Sequence, residues 1–159
     1  MAQDIQVIKC MILTLRSQNV LVPSAAVAEM VSAQGASDMI DMPDWYVAKM
    51  RWHGVDVPIV SFEAASGEKI KEVNQNTQIA MIYTAGSGDS RYPYIGLVVY
   101  GVPHVTQFSR EQIIVDPDSL LDAHSHPMVV QKTRINGAAV SVLDIDGIEA
   151  MIVKAEVYQ

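Results

Sequence analysis

The chain has 159 residues, half of them apolar and 18% charged, which suffices for one domain with a true core and is too apolar for wholesale disorder. Its formal net charge of −7, with the eleven Lys and Arg scattered, argues against nucleic acid as the main partner, because phosphate binding needs clustered cations, and no basic helix suggests a membrane-surface anchor. A lone cysteine, no basic segment ahead of a long apolar stretch, and no apolar run near the roughly 18 residues needed to span a bilayer favour a soluble, cytoplasmic protein.

Short apolar segments recur along the chain, separated by turn residues. Val7–Leu15 is rich in β-branched and large apolar residues and reads as a strand, with Cys10 a buried structural thiol near its start. After the turn "RSQN", Val20–Ser24 is the returning strand, and Pro23 marks an edge or a strand end. Ala25–Val31 fits a short strand or one helical turn, and periodicity does not separate the two. Val55–Glu63 alternates as a strand, with Pro58 implying an edge or a bulge. Ile79–Tyr83, Tyr94–Val102, Ala138–Ile145 and Ile148–Tyr158 complete the predicted strands. Between them, Ala85–Ser90 reads as a hairpin loop, and Asn136-Gly137 is a strong two-residue hairpin signal. Helical signals are few: Ser109–Ile113 has capping-box spacing from Ser109 to Gln112, and Asp116–His124 is ambiguous, with Pro117 suited to a first helical turn.

Two stretches repeat at an offset of 83: Val47, Lys49, Arg51, Gly54 and Val57 match Val130, Lys132, Arg134, Gly137 and Val140. Each glycine stands in a tight turn just before an alternating strand, where positive φ is cheap for Gly. Many short strands plus a period too long for a solenoid point to a mostly-β protein of two related small barrels.

Nothing in the chain asks for a reaction. His124 and His126 stand two apart near several aspartates, yet no second His or Cys pair has structural-zinc spacing, so a polar loop is favoured over a metal site. Asp144–Gly147 is a weak match to a calcium-loop opening, because the closing Glu is missing. There is no nucleophile elbow, and the glycine-rich 85–90 segment lacks the lysine and helix of a phosphate loop. The expectation is no enzyme and no cofactor. What remains suits binding: Trp45, Tyr46 and Trp52 with Met39, Met42 and Met50 concentrate soft and aromatic residues around 39–52, with Lys49 and Arg51 alternating among them. A small-molecule sensor holding its ligand between two lobes is the rival class.

Taken together in order, these segments resemble the CheW-like coupling proteins of bacterial chemosensory systems. Val27-Ala28-Glu29-Met30 fits that family's V-x-E-[IM] segment, Pro43 its following proline, His53-Gly54 its Arg-Gly turn, and Val55–Phe62 its V-P-[IV]-[VI]-D-L strand. Ile95–Ile113 and Ala138–Ile148 resemble its later strands. The resemblance implies two five-stranded SH3-like β-barrel lobes sharing a hydrophobic core within a single domain, 1–159. We expect lobes at about 16–75 and 76–159, with strand 5–15 crossing between them. It further implies a non-enzymatic adaptor in chemotaxis-type signal transduction, joining chemoreceptor cytoplasmic tips to a CheA-type histidine kinase at membrane-associated arrays. By position, the protein-binding residues carried over are Val27, Glu29, His53 and Gly54, with Arg51 as their neighbour. The departures are Ala48 for the glycine ahead of the turn, His53 for the turn arginine, and Ser61 and Tyr100 for two aspartates. A kept scaffold with altered charges suggests an accessory pathway, such as pilus-based twitching motility.

Overall fold

The computed structural model describes residues 7–16, 18–69, 73–84, 91–115 and 126–157. Twelve strands are present in these: β1 Val7–Thr14, β2 Asn19–Pro23, β3 Val27–Ser32, β4 Ser37–Asp38, β5 Tyr46–Trp52, β6 Val55–Val60, β7 Gln78–Tyr83, β8 Tyr94–Val99, β9 His104–Ser109, β10 Ile113–Val115, β11 Val129–Ile135 and β12 Ala138–Leu143. Two helices follow strands: the short α1 (Phe62–Ala65) and α2 (Ile145–Val157).

The strands form two sheets of six, ordered β3-β7-β8-β6-β5-β4 and β9-β1-β2-β12-β11-β10. Adding six to each label of the first order, and counting past twelve from one again, gives the second. Each sheet therefore contains four strands of one half-chain and the leading hairpin of the other. The joints are the parallel pairs β6–β8 (Ile59 opposite Gly96) and β12–β2 (Val142 opposite Leu21). Strands of 16–75 and of 76–159 thus mix within each sheet, and β1, inside the expected crossing strand 5–15, pairs with β2 and β9. Asn19–Pro23 pairs with the C-terminal β12, and Gln78–Val99 joins the sheet of residues 27–60. Each sheet has six strands, the two-residue β4 and three-residue β10 being short outer members.

Side-chain alternation fills both faces of these strands. On β7, Ile79 and Met81 enter a cluster private to the first sheet with Ala48, Met50, Val57, Ile59 and Val98, whereas Ala80 and Ile82 enter the core shared by both sheets. On the other sheet, Cys10 and Leu21 join Phe108, Ile135 and Val140 in a second private cluster, while Leu13, Val20 and Val22 face the shared core. Because both faces bury apolar groups, β6, β7 and β8 read as nearly continuous apolar runs. Burial also raises the Cys10 thiol pKa, as befits a structural thiol.

The repeat holds in atomic detail and is longer than the sequence match. Both hairpins carry a bulge one residue into the first strand, between Tyr46 and Ala48 and between Val129 and Gln131. Both turn through two successive positive-φ residues, His53 (49°) with Gly54 (79°) and Asn136 (51°) with Gly137 (85°). That is the two-residue turn whose twist matches its strands. Ahead of each hairpin the same backbone bond closes, Tyr46 N–H to Pro43 O and Val129 N–H to His126 O. Behind each, one residue caps a helix: Ser61 Oγ accepts from Ala64 N–H (3.2 Å), and Asp144 Oδ1 accepts from Gly147 N–H (2.9 Å). The first helix stops because Gly67, at φ 91°, takes the left-handed cap; Ala150 stands at the matching place in the second, which runs on.

The predicted strand Ile148–Tyr158 is helix over Ile148–Val157, and Tyr158 lies outside the described residues. The segment's β-branched residues read as a strand, but Ile145, Ile148, Ile152 and Ala155 recur at helical spacing and turn one face into the shared core. The Asp144–Gly147 stretch is the capped start of this helix. Ala25–Val31 divides between both alternatives, a 3-10 turn over Ser24–Ala26 and then β3. Pro58 lies in a central strand and is tolerated because the pairing with β8 begins only at Ile59. The expected turn at Ser109 forms, with Ser109 N–H donating to Gln112 Oε1 at 2.8 Å. The predicted hairpin loop 85–90 and the 116–124 segment lie outside the described residues, as does His124.

Candidate protein-docking site

The β5–β6 turn projects from the first sheet with open space around it; a Cβ on Gly54 would meet nothing within 4 Å. Arg51 is folded back over this turn. Its Nη2 donates to Gly54 O at 2.9 Å, and its Nη1 lies 3.5 Å from Asp56 Oδ1. Both side chains are more than half exposed, so solvent screens the pair to well under about 1 kcal/mol. The His53 ring stacks on Trp52 with centroids 3.8 Å apart and planes 17° from parallel.

Glu29 approaches from β3, at the far end of the same sheet. A bulge between Val27 and Glu29 shifts the register, so Glu29 pairs with Met81. Its Oε2 stands 4.0 Å from His53 Nε2, with both side chains exposed. Two of the residues singled out in the sequence, 24 positions apart, are therefore neighbours. Arg51 and Gly54 join them through the turn. Val27 does not share their exposure: it is half-buried and packs against the shared core.

Two residues missed in the sequence complete the rim. Tyr94 meets Trp52 edge-on at 4.8 Å, and Tyr83, paired with Tyr94 across β7–β8, tilts against it at 5.3 Å. Glu29, His53, Trp52, Tyr94 and Tyr83 so bound one end of the first sheet, with Tyr83 47% exposed. The only sequence signal was that both strands end in tyrosine on the parity of Met81 and Gly96. Most of the aromatic and methionine group at 39–52 serves the core instead. Tyr46 and Met50 are buried, and Trp45, Met39 and Met42 pack against the shared cluster. Tyr46 Oη donates to Glu156 of α2 at 2.9 Å, and Lys49 Nζ reaches Tyr92 Oη at 2.9 Å, which itself bonds Glu156. Burial, then the Glu156 bond, drives the Tyr46 pKa far up.

At the opposite end of β7–β8 lies an open groove of about 560 Å³. Met30, Val73, Val98, Val99, Val102 and Pro103 give it an apolar lining, with Gln78 and Tyr100 at its polar margin. Val102 is 76% exposed there.

Residues 9–151 match the family model described as the CheW-like domain. The chain belongs to the CheW-like domain family. In fold it is similar to the scaffolding protein TtCheW from Thermoanaerobacter tengcongensis, with a TM-score of 0.66 and 14% identity over 87% of this chain and 84% of that one. No curated protein sequence gives a significant match. CheW-like proteins are coupling scaffolds of chemotaxis signalling rather than enzymes. No helix among the described residues is long and apolar enough to cross a membrane.

The departures from the CheW-like pattern now sort by position. Ala48 is fully buried in the first sheet's private cluster. Ser61 is buried and caps α1, the task Asp144 performs in the other half, so this exchange concerns the scaffold rather than docking. His53 and Tyr100 are the exposed ones. Beneath Tyr100 lies buried Glu63, whose Oε1 accepts from Arg16 N–H at 2.9 Å; burial and that carboxylate both raise the Tyr100 pKa. His126 has both ring nitrogens engaged, Nε2 with Phe62 O at 2.8 Å and Nδ1 with Met128 N–H at 3.0 Å, and its ring stacks on Phe62 at 3.7 Å. Since Nδ1 must accept, Nε2 carries the proton and the ring is neutral, in keeping with the burial that lowers its pKa. His126 has no ring nitrogen left for a metal, and no group of three metal-ligating side chains occurs among the described residues.

Proposed function

We propose that the chain is a non-enzymatic adaptor that couples the cytoplasmic tip of a chemoreceptor to a CheA-type histidine kinase. The rim of Glu29, Arg51, His53 and Gly54, with Val27 packed beneath it as support, takes the kinase regulatory domain, and the Met30–Val102 groove takes the receptor. The observation that carries this is the separation of two surfaces at the two ends of one hairpin. From Tyr83–Tyr94 to Gln78–Val99 is five residues along each strand, about 17 Å at strand rise, so two partners can bind without colliding. An apolar groove suits one face of an amphipathic helix, and a mixed polar and aromatic edge suits a folded partner.

The pathway we propose is an accessory one, such as pilus-based twitching motility, served in the cytoplasm at membrane-associated receptor arrays. Its support is that the exposed departures, His53 and Tyr100, fall one at the rim and one at the groove. Neither surface then presents the charge its CheW-like counterpart would.

The test is a three-component binding assay with a kinase regulatory domain and a receptor signalling tip from the same organism. Both should bind at once. Glu29→Lys should remove the kinase and spare the receptor, and Val102→Glu should do the reverse. Mutual exclusion of the two partners would overturn the two-surface reading. A small-molecule sensor is the second reading, favoured only by the groove's volume, which lies within the range of ligand sites. Thermal stabilisation by a metabolite, lost in Val102→Glu, would support it.

A further inference from the structure

Resting on the adaptor reading, we infer that the rim of the first sheet is a receiving site for one arginine side chain of the docked kinase. The partner thus supplies the cation this chain's turn lacks. Three observations lead there.

Glu29 is a solvent-facing carboxylate of the rim. Its carboxylate is half exposed, and its one ion-pair neighbour among the described residues is His53 at 4.0 Å, beyond hydrogen-bonding reach. Imidazole carries charge only when protonated, so this contact is no permanent ion pair.

Nearby cations of the chain itself are held elsewhere. Arg51 is engaged by Gly54 O and Asp56. Lys49 donates to Tyr92 Oη and lies over that ring, 5.2 Å from its centroid. Neither takes the place left by the turn arginine.

The walls suit a guanidinium. Tyr83 follows Met81, the register partner of Glu29, by two residues and shares its face, which puts Glu29 and Tyr83 at the same end of the β3–β7 pair, with the bulge at Ala28 opening a gap between them. A planar guanidinium bridges that gap, lying on the exposed tyrosine face while its fork donates to both carboxylate oxygens. Tyr94 and Trp52 back the tyrosine, and His53 closes the far side. An ammonium could pair with Glu29 but has no plane to stack, so the site prefers arginine to lysine. The chain's net charge of −7 favours approach of such a cation.

The test is an NMR titration of the full chain with N-acetyl-arginine amide, and in parallel with its neutral isostere N-acetyl-citrulline amide. The indole N–H signals of Trp52 and Trp45 are the readout. The arginine probe should shift Trp52 and leave Trp45 still, with citrulline binding about tenfold more weakly. Glu29→Gln should abolish the preference. His53→Arg should abolish binding altogether, because its own guanidinium then occupies the carboxylate, and this variant keeps every ring except the histidine. Equal response to the two probes, no movement of Trp52, or an unchanged preference in Glu29→Gln would overturn the inference. Kinase binding with no arginine preference leaves the adaptor reading intact. Arginine binding without affinity for kinase or receptor contradicts the adaptor reading instead.

Discussion

The hairpins β5–β6 and β11–β12 share a bulge, a turn, a closing backbone bond and a capped helix, yet they differ around the tip, where Trp52, His53, Val55 and Asp56 of the first stand against Ile135, Asn136, Ala138 and Ala139 of the second. In the first, Arg51 faces Asp56 and Trp52 lies half-exposed under His53. In the second, Arg134 faces Ala139, and Ile135, at the place of Trp52, is buried in a private core. Backbone form here depends on a few positions: the glycine of the turn, the capping oxygen, and the alternation that fills two cores. The residues those positions leave free are where the proposed docking surface can differ between the two copies. One copy of the unit has kept its tip for packing, and the other has opened it into a rim.

Breaking the rim should have the largest effect. Glu29→Lys is expected to weaken kinase binding at least about tenfold in low salt, with a smaller loss in high salt, since a reversed charge acts through screened attraction. Thermal denaturation should show a change within about 0.5 kcal/mol, the usual range for a surface site. A larger loss of stability would make Glu29 a structural residue.

Valine at either turn glycine tests the shared backbone. Gly54→Val and Gly137→Val each force a β-branched residue into positive φ with no steric clash, so each should lose about 1–2 kcal/mol from strain alone. The melting temperatures should fall together. Unequal losses would show that the two turns are not equivalent.

Acid should separate the halves more mildly. His126 occupies the place that Pro43, which cannot titrate, fills in the other unit. Burial lowers the folded pKa of His126 below its ordinary 6.5, outweighing the Phe62 carbonyl and the Glu63 charge. The unfolded chain therefore binds the proton more readily between the two values. Stability from this group is full above about pH 6.5 and is lost as the pH falls through the folded value. His126→Asn should flatten the melting temperature between pH 7 and pH 5 relative to the parent. The smallest effect is expected for Arg51→Ala, whose exposed pair should contribute under about 1 kcal/mol to stability.

The hairpins were legible in the sequence because everything that makes them is local: Gly54, Gly137 and the alternation behind each. Beyond the crossing of strand 5–15 that the resemblance implied, the exchange of hairpins between sheets was not, since the joints Ile59–Gly96 and Val142–Leu21 bring together distant segments that carry no pairing signal of their own. The α2 helix was misread because its valines and isoleucines suit a strand, while Asp144, the residue that starts it, looked like part of a metal loop. Of the candidate rim, the residues beside the turn were named through the CheW-like resemblance, and Glu29, Arg51, His53 and Gly54 are neighbours in the fold. The tyrosines at Tyr83 and Tyr94 were not legible, because they become a rim only once β7 and β8 are inserted beside β6.

The most direct test of the central claim is a paired titration of Gly54→Asp and Gly137→Asp against the kinase regulatory domain. Both substitutions put the same side chain into the same open turn. The account predicts matched melting temperatures, with binding lost in Gly54→Asp and kept in Gly137→Asp. Equal binding by the two variants, or loss only in Gly137→Asp, would contradict it.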